Sequence, residues 1–133
     1  MAVGHMVNEK VLRFQGKNKE LGPLGVQIEQ RLKKDGYQTQ IASTPKGTVI
    51  QAKKAGILRD IITADRAFTI VLSGQPNDFT IRIGIGKLIQ NLVVAAAEAI
   101  LLEGIPLLVD VPEMLWTVHV EKGIVLEITG IVG

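Results

Sequence analysis

The chain has no cysteine and few aromatic residues: its 133 residues include three Phe, one Tyr and one Trp. Without cysteine, a disulfide framework and every thiol chemistry are excluded. Of the two histidines, one lies in Met-Ala-Val-Gly-His-Met at residues 1–6, which resembles the remnant of an expression vector. The other, His119, is too little for a structural zinc site, so we predict no metal and no cofactor. We interpret residues 1–6 as a vector-derived tail and residues 7–133 as a single α+β domain.

Charge is unevenly distributed along the chain. Residues 1–87 hold 14 of the 15 Lys and Arg but 7 of the 13 Asp and Glu, which leaves a local charge of +7. Residues 88–133 hold one basic residue, Lys122, and six acidic ones, a local charge of −5. The net charge of +2 is too small to predict a polyanion partner. The basic first part is compatible with an anionic membrane surface.

Residues 88–109 form the longest apolar segment, and it has the length of a membrane span. It also contains Glu98 and Glu103, and Gly104 and Pro106 would end a helix there. A central acidic side chain costs about 2.5–3.5 kcal/mol on insertion scales, so we do not expect a spanning helix. A buried core or oligomer helix is favoured, and a helix lying in a membrane interface is the alternative. No secretory signal is visible, so we expect a cytoplasmic location, with membrane association as the alternative.

Apolar periodicity predicts an α+β fold: a mainly antiparallel sheet of about four to six strands, built from hairpins, with two helices packed on one face. Helices are expected at residues 19–35 and 87–103, and strands at residues 7–14, 37–43, 48–54, 67–73 and 78–85. Strict alternation in residues 78–85 places Phe79, Ile81 and Ile83 on the core face, where the second helix should cover them.

Two segments allow further interpretation. Ile57, Leu58, Ile61 and Ile62 repeat four apart and predict one helical turn between the two central hairpins. Residues 114–120 and 124–129 alternate, which predicts a third hairpin. The competing interpretation is a helix over residues 112–122, and the β-branched content favours the hairpin.

A candidate anion site lies where a strand should lead into a helix, at Gly84, Gly86 and Lys87. The spacing is not that of a P-loop, and the two glycines also suit a tight corner without a ligand. His119 has only Thr117 and Glu121 beside it on its predicted strand, a weak arrangement for a general base. Glu98 and Glu103 lie five apart, so they do not share a helix face. We therefore expect no catalytic residue.

A basic surface is expected at Lys46, Lys53, Lys54 and Arg82, on solvated parts of the sheet. Sheet surfaces that read RNA combine such charges with exposed aromatic rings, and here only Tyr37 is expected to be free. Sequence-specific nucleic-acid binding is therefore not expected. The apolar surplus of residues 88–133 instead predicts a homo-oligomer that associates through Leu92, Val93, Ile100 and Leu101.

These observations predict a small non-catalytic interaction module that associates with itself, and they leave its ligand unspecified. The first alternative is a peripheral membrane protein that uses the basic first part and the apolar segment 88–109. The second alternative is an enzyme with an anion site at residues 84–87, although no nucleophile–base pair is evident.

Overall fold

A computed structural model of the chain describes residues 9–58, 61–84, 92–103 and 118–133. These residues form five strands and three helices. In chain order the elements are β1 (Glu9–Gln15), α1 (Leu21–Lys34), β2 (Gln38–Thr44), β3 (Gly47–Leu58), β4 (Ile61–Gln75), β5 (Asp78–Gly84), α2 (Val94–Glu103) and α3 (Val118–Val132).

The strands form one sheet in the order β1-β5-β4-β3-β2, and every neighbouring pair is antiparallel. Strands β2 to β5 follow one another as hairpins. The first strand instead pairs with the last, so that Leu12 lies opposite Ile81. The predicted α+β class and antiparallel sheet are confirmed, and β1 and β2 form the two edges of this sheet.

The two predicted tight hairpins are present, with Pro45 and Lys46 in one turn and Pro76 and Asn77 in the other. In the first, the Thr44 hydroxyl accepts a hydrogen bond from the Lys46 backbone N–H at 3.0 Å. Pro45 suits this turn because its ring fixes φ near the value that the second position of a β-turn requires.

The predicted helical turn between the hairpins is wrong. β3 continues to Leu58 and β4 begins at Ile61, and these two residues lie opposite each other. The register shifts between Lys54 and Ala55, which marks an irregularity in the ladder. The four-residue repeat of Ile and Leu in this segment comes from two paired strands, because β-branched side chains fit a pleated sheet as well as a helix.

The main core lies on the sheet face made by alternate residues of the central strands. Phe79, Ile81 and Ile83 of β5 are fully buried there, as the alternation predicts. Helix α1 packs on this same face through Leu24, Ile28 and Leu32, which repeat at helical spacing. The helix ends at Lys34, and Gly36 follows with φ +98°, the left-handed conformation typical of the residue after a helix.

The predicted C-terminal hairpin is wrong where the structure describes it, because Val118–Val132 is the helix α3. Ile124, Ile128 and Val132 lie four apart, so they share one helix face, and all three join the main core. Burial of this face outweighs the β-propensity of the segment. Residues 112–117 lie outside the described residues.

The second predicted helix is present as Val94–Glu103, and its expected first part at residues 87–91 lies outside the described residues. It does not cover Phe79, Ile81 and Ile83. Instead α2 lies on the opposite face, where Ala97 and Ile100 pack against Val49 and Val71. The two helices on one face are therefore α1 and α3, and the third helix lies on the other face.

Candidate functional site

The expected anion site falls largely outside the described residues. Gly84 is buried at the end of β5, whereas Gly86 and Lys87 are not described. His119 belongs to α3 and not to a strand, and its side chain also lies outside the described residues.

The expected basic surface is spread over the sheet. Lys46 is exposed in the β2–β3 turn, and Lys53 is exposed seven residues further along, roughly 20 Å away at the usual rise of a strand. Arg82 is half-buried in the middle of β5, and the Lys54 side chain lies outside the described residues. The three described cations therefore do not converge on one point.

Tyr37 is not the free aromatic ring that the sequence predicts. Its side chain is buried, and its ring meets Phe68 edge-on with centroids 5.3 Å apart. The expectation failed because Tyr37 follows the turn after α1, where its backbone N–H donates to the Leu32 carbonyl at 3.0 Å and the chain folds back onto the core.

Helix α2 is held on the sheet by one of its faces. Ala97 and Ile100 are buried against Ala42 of β2, Val49 of β3 and Val71 of β4. Leu92 and Leu101 are partly buried beside them. Of the expected self-association residues, Ile100 is therefore a core residue, and Leu92 and Leu101 lie at the margin of the core.

The outer surface at the start of α2 is apolar. Val93 is 55% exposed and Val94 is 51% exposed, although both are branched aliphatic residues. Further along the helix Ala95 and Ala99 are also exposed, and Glu98 is half-buried. Val93 is therefore the one expected self-association residue that lies on the surface.

Strand β2 lies at one edge of the sheet and differs from the other edge in charge. No strand pairs with its outer side in the part of the chain that the structure describes. Its sequence, QTQIAST, has no charge and no proline. The other edge, β1, carries exposed Lys10 and Arg13, and Arg13 is paired through two nitrogens with Asp78 at 3.0 and 3.1 Å. Charged side chains are a common device that keeps a sheet edge from pairing with another chain.

On one face of the sheet, α1 runs along this edge. The Thr39 hydroxyl donates to Glu29 at 2.9 Å, and a Cβ on Gly25 would lie 3.4 Å from Ile41. Residues 22, 25, 26 and 29 form one stripe of the helix, so Val26 lies on the β2 side and is 41% exposed.

On the other face, the start of α2 lies beside β2. The backbone N–H of Leu92 donates to the Gln40 side-chain oxygen at 2.7 Å, which brings Val93 and Val94 next to the strand. We call Gln38–Thr44 together with Val26, Val93 and Val94 the β2 edge surface. Sequence reasoning recognised the strand and one of the valines, but an apolar pattern does not indicate which strand of a sheet lies at the edge.

A carboxylate pair at the α1–α3 contact provides the clearest electrostatic feature. Arg31 Nε lies 2.7 Å from Glu127 and 3.9 Å from Asp35. Partial burial raises the pKa of Glu127, the neighbouring Asp35 raises it further, and Arg31 opposes both effects. Arg31 therefore forms ion pairs with two carboxylates where α3 contacts α1.

Neither a membrane-spanning helix nor a metal site is found among the residues that the structure describes. Among the helices that the structure describes, none is long and apolar enough to cross a membrane. Within the same residues, no group of three or more His, Asp and Glu side chains is placed to hold a metal ion. Comparisons with known proteins give no match: no protein-family model, no curated protein and no solved structure resembles the chain.

Proposed function

We propose that this protein is a small non-catalytic interaction module that binds a second copy of itself. The observation that carries the proposal is the exposed apolar surface of Val93 and Val94, at the start of a helix that is fixed on the sheet by Ala97 and Ile100.

The energetic reason is the burial of apolar area. Removing one valine side chain from water contributes about 1.5–3 kcal/mol when its burial is complete. Scattered apolar residues are normal on protein surfaces, but Val93 and Val94 are adjacent, and exposed Ala95 extends the same surface. In a twofold dimer both copies contribute the same surface, so each favourable contact occurs twice in the interface.

The test is the mass of the protein in solution, measured by light scattering over a range of concentrations. We expect a dimer at micromolar concentration. Changing Val93 and Val94 to Glu should weaken association by about a hundredfold or more, because carboxylates resist desolvation.

The matched control is Leu126→Glu, since Leu126 is 72% exposed on α3 and is also apolar. This control should leave the dimer unchanged, and circular dichroism should show that both variants are folded. A wild-type protein that stays monomeric at the highest concentration would contradict the proposal. So would a dimer that Leu126→Glu disrupts and the double valine variant does not.

A further inference from the structure

We infer that two copies join through β2, whose outer edge pairs antiparallel with β2 of the second copy to give one continuous ten-stranded sheet. This inference rests on the proposed self-association and adds how the copies meet. The partner strand is β2 of a second copy of this chain, because β2 carries no charge and a symmetric register opposes its outward backbone groups.

The two sheet edges differ in charge. Strand β1 carries the exposed charges of Lys10 and Arg13, and charged side chains keep a sheet edge from pairing with another chain. Pairing β2 with itself opposes no charges at all, since Gln38–Thr44 is uncharged. The nearest charged group beside β2, Glu29, is already bonded to Thr39 and lies 3.8 Å from Lys33.

The register follows from symmetry. In an antiparallel pair, opposed residues point to the same face of the sheet, so a twofold axis must place one residue opposite itself. The centre of Gln38–Thr44 is Ile41, and a pairing centred there overlaps all seven residues. Thr39 then lies opposite Ser43 of the second copy, and Gln38 opposite Thr44. Polar side chains meet at these two positions, and Gln40 lies opposite Ala42.

The direction of the backbone groups agrees with this register. Thr44 and Gly47 flank a two-residue loop, and the pair that closes such a loop exchanges its hydrogen bonds across the hairpin. By alternation, the N–H and C=O groups of Thr39, Ile41 and Ser43 point away from β3. Centring on Ile41 opposes these outward groups and allows about six new backbone hydrogen bonds. A shift toward the turn loses bonds, because Pro45 has no N–H to donate.

The two flanking helices add apolar contacts on both sides of the joined strands. The axis is perpendicular to the sheet, so α1 and its copy lie on the same face and α2 and its copy on the other. Val26 flanks β2 on the α1 face, and Val93 and Val94 flank it on the α2 face. The exposed valines of the β2 edge surface would therefore become partly buried by the same pairing.

The absence of cysteine in the chain makes cross-linking a clean test. Thr39→Cys and Ser43→Cys variants are prepared separately, labelled with different mass tags, mixed to exchange subunits and mildly oxidised. Opposed residues that exchange backbone hydrogen bonds have Cα atoms about 5.5 Å apart, which is within the range that a disulfide spans. The mixture should therefore give a disulfide dimer that contains one chain of each variant. In either variant alone the two cysteines lie four residues apart along the strands, about 13 Å, and no disulfide should form.

A charge placed on the edge gives a second, independent measurement. Ser43→Glu should weaken dimerisation by about tenfold or more, since it brings a second carboxylate beside Glu29 of the second copy, which bonds the opposed Thr39. The matched control is Gln15→Glu, an exposed position on β1, which should leave the dimer unchanged. Circular dichroism checks that both variants fold.

The outcomes separate this inference from the proposed function. A mixed disulfide that forms only between the two variants, together with weaker association of Ser43→Glu, supports pairing through β2. A dimer by light scattering that gives no mixed disulfide, or that cross-links equally well within one variant, overturns the β2 pairing and leaves self-association standing. A wild-type monomer overturns both.

Discussion

Gly25 marks a close approach of α1 to the sheet. A Cβ at this position would lie 2.7 Å from the Thr48 methyl carbon, nearer than side chains approach in folded proteins. Thr48 is buried in β3 and β-branched, so its methyl group has little freedom to move. The glycine therefore sets the separation between helix and sheet, and through it the position of Val26 beside β2.

We expect Gly25→Ala to destabilise the protein by about 1–3 kcal/mol, because the new methyl group overpacks a close contact. The matched control is Gly123→Ala, an exposed glycine inside α3 with open space around its Cβ. That change should stabilise by about 0.5–1 kcal/mol through helix propensity. Urea unfolding measures both. Equal effects of the same sign would mean that α1 does not approach β3 this closely.

Helix α3 is attached to the rest of the fold by two kinds of contact. Ile124, Ile128 and Val132 bury one face in the main core. At the margin, Glu127 meets Arg31 of α1, with Asp35 nearby. The apolar contacts provide most of the stability, and the ionic contacts make the attachment depend on pH.

The sign of this pH dependence follows from the raised pKa of Glu127. The folded state holds that proton more tightly than the unfolded chain, so this contribution to stability is greatest below the ordinary glutamate pKa of about 4.3. It declines as pH rises through the raised pKa. Asp35→Asn removes a carboxylate beside Glu127, so we expect a smaller decline in the free energy of unfolding between about pH 4 and pH 7.

Asp78→Asn is the control for this pH series. Hydrogen bonding to Arg13 lowers the pKa of Asp78, so its contribution is present above the usual aspartate range and is lost only as pH falls through the lowered pKa. The control should therefore keep the wild-type slope at higher pH. If Asp35→Asn also keeps that slope, Asp35 is not what raises the pKa of Glu127.

For the whole molecule, the proposed self-association would link stability to concentration. A folded dimer releases two unfolded chains, so its Tm rises with protein concentration by mass action. We expect a rise of about 2–3 °C for each tenfold increase above the dissociation constant, given the usual unfolding entropy per residue. Scanning calorimetry over two decades of concentration measures this shift. Ser43→Glu should flatten the dependence, and a flat wild-type curve would contradict dimer formation.

Much of the architecture could be predicted from local patterns. The alternation of Phe79, Ile81 and Ile83 indicated a half-buried strand, and period-2 patterning holds wherever a sheet has one covered face. The turn at Pro45 and Lys46 and the helix ending before Gly36 follow from backbone chemistry that acts within a few residues. These features need no knowledge of distant contacts.

Two segments were misread because local preference was too weak to decide. Val118–Val132 is rich in β-branched residues, which favour a strand. The segment is nevertheless the helix α3, because a helix buries Ile124, Ile128 and Val132 together in the main core. Around Leu58 and Ile61, the same residue types form the ends of β3 and β4, because the two strands pair with each other along the ladder. In both places the energy of burial and pairing exceeded the propensity differences on which the prediction depended.

The sequence by itself determined the α+β class, the two tight hairpins, the first helix and the face of the last strand, because each depends on neighbours in the chain. Only the tertiary structure decided that β1 pairs with β5, that α2 lies on the face opposite α1 and α3, and that β2 is an edge. Those outcomes depend on which apolar faces meet across long sequence separations. For the same reason, Val26 and Val93 lie on opposite faces of the sheet beside the same strand, β2, although 66 residues separate them in the chain.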